Sequence, residues 1–201
     1  MEVQELNYKV VQRACDAIGG GNLAGAKEMI RSGYPFTATQ SLDRRYSDKE
    51  KTKVFIRDGF IDRYSGERLV YPPVLRLLSN LMPEEFPFHS NWKMSECHIA
   101  YWQLYPTIDH IVPVTRGGID EESNWVCTSQ IRNSAKANWL LEELGWELQP
   151  PGDLQEWDGL FHWFLEYVEQ HPEIKEDSWL RSWGSTARSV YEEQRSQQGR
   201  K

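Results

Sequence analysis

The chain has 201 residues, of which 39% are hydrophobic and 26% charged, enough apolar material for one good-sized domain with appendages. A net charge of −7 argues against a protein that coats nucleic acid through bulk charge, although a local basic face or a bound divalent cation would still hold a phosphate. No apolar run is long enough to span a bilayer, and the opening Met1-Glu2-Val3-Gln4-Glu5 lacks an apolar signal core, so no membrane association and a cytoplasmic setting are expected.

Apolar residues at helical spacing (Val3, Leu6, Val10, Val11, Ala14, Ile18) predict a first helix over 2–18, stopped by Gly19-Gly20-Gly21. Asn22 is placed to cap a second helix through Leu23, Ala26, Met29 and Ile30, giving an N-terminal helical hairpin over 1–39. Residues 40–53, with Asp43-Arg44-Arg45 and Asp48-Lys49-Glu50-Lys51-Thr52-Lys53, read as a solvated polar connector. Val54-Phe55-Ile56-Arg57 and Arg68-Leu69-Val70-Tyr71 read as strands, with a turn at Asp62-Arg63-Tyr64-Ser65-Gly66 between them. Pro72-Pro73 closes the second run, a short helix follows through Val74, Leu75, Leu77 and Leu78, and Phe86, Phe88 and Trp92 mark an ordered loop.

Ile108-Asp109-His110-Ile111-Val112-Pro113 reads as a strand ending in a polar pair, and Gly117-Gly118 opens a loop. Asn124-Trp125-Val126-Cys127 resumes a strand, and Ser129 is placed to cap a helix through Ile131, Asn133, Lys136 and Leu140, which continues over Trp139–Leu144 to Gly145. Pro150-Pro151-Gly152 breaks the chain, and helices over about 158–170 and 176–195 make a C-terminal helical segment, 150–201, with frayed residues from Ser196. The chemistry is concentrated in the middle. A neutral histidine takes a proton near neutral pH, which makes His110 a candidate base. A hard cation wants oxygen ligands, and Asp109 and Asn133 offer a carboxylate and a carbonyl oxygen. Neighbours on a regular strand point to opposite faces, so the strand must end at Asp109-His110 if both are to serve one site.

The order Asp109-His110, Gly-Gly loop, Asn124, Asn133 resembles the core motif of the HNH, or ββα-metal, nucleases in an H-N-N form. The fourteen-residue step from His110 to Asn124 and the nine-residue step to Asn133 resemble the HNH domains of RNA-guided CRISPR effectors. The resemblance covers 106–138, about a sixth of the chain. It implies an α+β protein with a nuclease core over 40–149. His110 would be the base, Asn124 the brace of the loop that aims it, Asp109 and Asn133 the ligands of one Mg²⁺ or Mn²⁺, and Lys136 a catalytic cation near the phosphate. It also implies hydrolysis of a nucleic-acid phosphodiester, DNA above RNA, leaving a 5′-phosphate and a 3′-hydroxyl. One such site cuts one strand, so double-strand cutting calls for a homodimer, a larger complex or a second visit. Many small HNH proteins carry four zinc-binding cysteines. The matching helix positions here are Ser129 and Arg132, and the upstream turn is Asp62–Gly66, so no structural zinc is expected.

Each residue also has a plainer reading. His110 alone would be a hydrogen-bonded structural histidine, Asn124 a turn residue and Lys136 a solvated helix lysine. Arg116 in the loop and Arg132 on the helix are candidate nucleic-acid contacts. Arg57, Arg63, Arg68 and Arg76 form either a basic strip or partners for the acidic excess. Trp102, Trp125 and Trp139 would stack on bases or, as favoured for the last two, fill a core. Cys15, Cys97 and Cys127 are dispersed and lack a CxxC, which suits reduced thiols, and Cys97-His98 with His89 and Cys127 lacks a paired metal signature. Two alternatives to a nuclease remain on the sequence: a non-catalytic nucleic-acid-binding or regulatory module of the same fold, and a helical partner-binding scaffold.

Overall fold

A computed structural model describes residues 7–36 and 45–198; the chain divides into two compact units, 1–42 and 43–201. The class is α+β, with helices around a small two-stranded antiparallel sheet. Among the described residues no helix is long and apolar enough to cross a membrane.

The first unit is a helical hairpin, α1 (Asn7–Gly19) and α2 (Leu23–Gly33). Val10 and Ala14, one turn apart on α1, and Ala26 on α2 are its buried apolar residues. Gly21 turns the chain at φ +80, and Asn22 caps α2 by accepting from the Gly25 N–H (2.8 Å). The expected helical start over 2–6 lies outside the described residues, as do residues 40–44 of the expected polar connector.

In the second unit residues 45–47 are irregular, as expected of the connector, but α3 spans Asp48–Arg57, replacing both residues 48–53 of that connector and the strand expected over 54–57. Ser47 and Glu50 form a reciprocal capping box that fixes its start. Val54, Phe55 and Ile56 are all buried, so their unbroken apolar run reflects a helix covered on most sides rather than a strand. The run 68–71 forms no strand; one bridge, Ile61 to Arg68, closes the turn between them. Pro72 and Pro73 open α4 (Pro72–Leu81) instead of ending an element, because the first helical turn has no use for the missing N–H.

An irregular stretch leads to the short α5 (Ala100–Gln103), then β1 (Pro106–His110) and β2 (Trp125–Ser129), paired from Pro106–Ser129 to His110–Trp125. Next comes α6 (Gln130–Lys136), capped by Ser129. It stops there rather than continuing: Ala137 lies at φ +45, and α7 (Leu141–Leu144) is a separate turn. The chain ends in α8 (Phe161–Gln170) and α9 (Ser178–Gln198), so the helix includes residues 196–198 that the sequence left frayed.

α8 and α9 bury Phe161, Phe164, Leu180 and Trp183 in the same core as α3 and α4. Tyr71 sits at its centre, edge-on to Phe60, Phe161, Phe164 and Trp183 at 5.1–6.0 Å between ring centroids. The three cysteines are unpaired, and burial pushes the Cys127 thiol well above its usual range.

Candidate functional site

A two-stranded ribbon is marginal by itself, because both edges leave backbone groups unpaired. Here groups from outside the ribbon take up backbone positions on both edges. On β2 the outward groups belong to residues 125, 127 and 129. The Cys127 N–H donates to Asp58 Oδ2 (2.7 Å), and its carbonyl accepts from the Arg63 N–H (2.9 Å). The Ser129 N–H donates to Asp62 Oδ2 (2.9 Å), while the Thr128 hydroxyl donates to Asp62 Oδ1 (3.1 Å). Arg57 Nη2 donates to the Trp125 carbonyl (2.5 Å). Asp58 and Asp62 are fully buried, and Arg57 and Arg63 both pair with Asp58. The 62–66 turn, which aligned with a zinc-ribbon turn, is thus tied by a carboxylate to the Ser129 end of β2.

On β1 the outward carbonyls are those of Ile108 and His110. Asn133 and Lys136, one turn apart on α6, take them: Asn133 Nδ2 donates to Ile108 O (3.2 Å) and Lys136 Nζ to His110 O (2.7 Å). Lys136 also pairs with Asp109 Oδ2 (3.0 Å) and is fully buried. It is therefore no solvated lysine, and its charge is spent on the strand end. Tyr64 donates to the same Asp109 oxygen (2.8 Å). Burial, and then the Asp109 charge, push the Tyr64 phenol far above its ordinary value, so it remains a donor.

This arrangement leaves two oxygens uncommitted. Among the described residues Asp109 Oδ1 accepts no hydrogen bond, and neither does Asn133 Oδ1, because the Asn133 amide nitrogen is turned onto the strand. Asp109 keeps 11% side-chain exposure. A carboxylate oxygen from β1 and an amide carbonyl oxygen from α6 are the kinds of ligand that suit a hard cation retaining several waters. Among the described residues no three His, Cys, Asp or Glu side chains cluster as a metal site.

β1 ends at His110, as a shared site requires. The His110 ring nevertheless takes different partners from Asp109. Its Nε2 meets Asp120 Oδ1 at 2.7 Å and the Tyr46 hydroxyl at 3.3 Å. Asp120 Oδ1 also accepts from Trp125 Nε1 (3.0 Å) and Tyr46 (3.3 Å). A carboxylate on Nε2 favours the tautomer with the proton there, which makes Nδ1 the acceptor nitrogen of the ring. The ring is buried while Asp120 is 43% exposed, so the pair lies at the rim.

Asn124 spans the loop between the strands. Its Oδ1 accepts from the Val112 N–H (3.0 Å), and its Nδ2 donates to Val112 O (2.9 Å) and Ile119 O (2.8 Å). Gly118 permits this: a Cβ there would fall 1.9 Å from Val112 O. Asn124 itself sits in a 3₁₀ turn, one residue before β2 begins. Arg116 pairs with Glu143 (2.9 Å), and the Arg132 guanidinium lies 5.3 Å from the Trp146 ring centre. Trp125 is half-buried through its Asp120 bond, whereas Trp139 is 52% exposed and not the core residue expected.

Sequence reasoning missed Tyr46, Tyr64 and Asp120. Asp120 had a usable signal, an acid two residues past the Gly-Gly pair and four before Asn124. The tyrosines had none, since they reach the motif from 64 and 45 residues away. Comparison with family models, with curated proteins and with solved structures found no match.

Proposed function

We propose that the chain is a metal-dependent endonuclease of the HNH type that hydrolyses a nucleic-acid phosphodiester, with DNA the substrate favoured by the motif's resemblance. One observation carries the reading. A strand–loop–strand–helix frame leaves Asp109 Oδ1 of β1 and Asn133 Oδ1 of α6 uncommitted, while a carboxylate holds the adjacent His110. Asp109 and Asn133 are the residues that would hold Mg²⁺ or Mn²⁺, which when bound supplies Lewis-acid polarisation of the phosphate and stabilisation of the leaving oxygen.

The protein's own groups account for the proton. Asp120 fixes Nε2–H, so Nδ1 of His110 accepts a proton from the attacking water and Asp120 stabilises the imidazolium that forms. The water oxygen bonds to phosphorus and the P–O3′ bond breaks, leaving a 5′-phosphate and, after protonation by solvent, a 3′-hydroxyl. Separate partners for His110 and Asp109 suit this chemistry, because a phosphate must fit between base and cation. Asn124 and Gly118 hold the loop that carries Asp120.

Supercoiled-plasmid nicking in Mg²⁺ tests the reading. The parent is expected to nick, His110→Ala to lose at least a hundredfold (about 2.7 kcal/mol of barrier), and Asp120→Asn to lose about tenfold in kcat at unchanged KM. The Lys136–Asp109 ion pair favours a second reading, a non-catalytic nucleic-acid-binding module in which Asp109 is structural. Binding of DNA by parent and His110→Ala alike, without cleavage by either, would select it.

A further inference from the structure

Residues 82–99 join α4 to α5 with no helix or strand of their own, and long ordered loops of this kind tend to be functional. They fold over Arg76 of α4, whose guanidinium lies 4.2 Å from the Phe88 ring centre. Of the four arginines at 57, 63, 68 and 76, it alone has no carboxylate at ion-pair distance among the described residues. Arg76 acts electrostatically on Asp177, but that carboxylate is committed to Asn80 and to the Trp179 and Leu180 N–H groups.

A cavity of about 230 Å³ opens here between Arg76, Phe88, Trp92, Tyr101, Tyr105 and Trp179. Trp92 is held at φ +52, and its ring stands edge-on to Tyr101, Trp102 and Tyr105 at 4.8–5.8 Å. The buried side-chain polar atoms without a hydrogen-bond partner among the described residues are Arg76 Nε, Trp102 Nε1 and Trp183 Nε1. All are donors; Arg76 lines the cavity itself, while Trp102 packs against the wall residue Trp92 and Trp183 against the wall residue Trp179 (5.4 Å). A buried donor without a partner is costly, so Arg76 favours an occupant that brings an acceptor. Aromatic walls favour a flat ring, and the volume is below the roughly 300–1,000 Å³ of large-ligand sites, which limits the occupant to one ring system.

We propose that this cavity binds one unpaired nucleotide, its base among the aromatic rings and its phosphate on Arg76. Every base has a face to stack, and a guanidinium pairs with phosphate oxygens in two-pronged geometry. The choice of a nucleotide among aromatic anions rests on the nuclease reading. Tyr105 immediately precedes β1, which ends at His110, so the cavity lies roughly 16 Å along the strand from the candidate base. The occupant is either a free nucleotide or one at a strand end, several steps from the cut.

Calorimetric titration of the full chain in EDTA, where no cleavage occurs, tests the proposal. The probes are adenosine 5′-monophosphate, benzoate, and a single-stranded oligonucleotide with and without a 5′-phosphate. The monophosphate or the phosphorylated oligonucleotide is expected to bind, at least tenfold more weakly to Arg76→Gln and to Trp179→Leu, with unchanged far-ultraviolet dichroism. Trp179 is 37% exposed, so its variant carries the test should Arg76→Gln fail to fold. Tenfold tighter binding of the phosphorylated oligonucleotide assigns a strand end; equal binding assigns the free nucleotide. No binding of either, parental affinity in the folded variants, or benzoate binding as tightly as the monophosphate overturns the proposal. A chain that binds the monophosphate through Arg76 but never nicks DNA loses the nuclease reading and keeps this site; one that nicks but binds no nucleotide in EDTA does the reverse.

Discussion

Lys136 is a short-helix lysine whose ammonium is fully buried between Asp109 Oδ2 and the His110 carbonyl, with the Tyr64 ring 5.6 Å away. Removing one member of a buried ion pair leaves the other uncompensated, at about 3–5 kcal/mol. Lys136→Met is therefore expected to lose about 3 kcal/mol, seen as a fall in Tm of roughly 10 °C. A parental Tm with a raised KM would put the lysine on the phosphate instead. This residue marks how far the sequence could be read. The order His110, Asn124, Asn133 was visible because each sits at a fixed step within one motif. Burial of Lys136 was not, because it depends on Tyr64 and on the strand end that it caps. Asp120 was half-visible: its place in the loop could be counted, but not its approach to Nε2.

At the level of elements, misreadings came where tertiary cover overrode local pattern. Val54–Ile56 looks like a strand because three apolar residues are contiguous; α3 buries them all, with α9 across from its other face. The capping box at Ser47 and Glu50 was legible and would have argued for the helix. The hydrogen bonds from Asp58, Asp62, Asn133 and Lys136 to the two ribbon edges had no local signal, since no single segment contains both halves. The α3–α9 contact carries its own test. Lys49 and Lys53 both reach Glu193, and their hydrogen bonds lower its carboxyl from 4.5 to about 2. A depressed folded-state value means that the contribution is full above about 4.5 and is lost as pH falls through about 2. Glu193 is solvent-accessible, so the effect is small. Glu193→Gln is expected to lower Tm slightly at pH 7 and to flatten its fall between pH 4.5 and 2; an acid profile parallel to the parent's would show that the contact contributes nothing.

On the scale of the whole molecule, the unit 1–42, which holds the hairpin of α1 and α2, and the unit 43–201 are separate compact units, and the candidate site lies wholly in the second. A net charge of −7 leaves little bulk attraction for nucleic acid, so the proposed function requires recognition by local features, such as the proposed cation site and the cavity at Arg76. Within 43–201, α8 and α9 complete the core beneath the ribbon, while charged side chains fix the ribbon's edges. The cation site is the claim on which the functional reading turns, and anomalous scattering from a Mn²⁺-soaked crystal tests it most directly. One peak within about 2.5 Å of both Asp109 Oδ1 and Asn133 Oδ1, with waters completing the shell, is the expected result. No peak there at saturating Mn²⁺, with Lys136 still on Asp109, would contradict it.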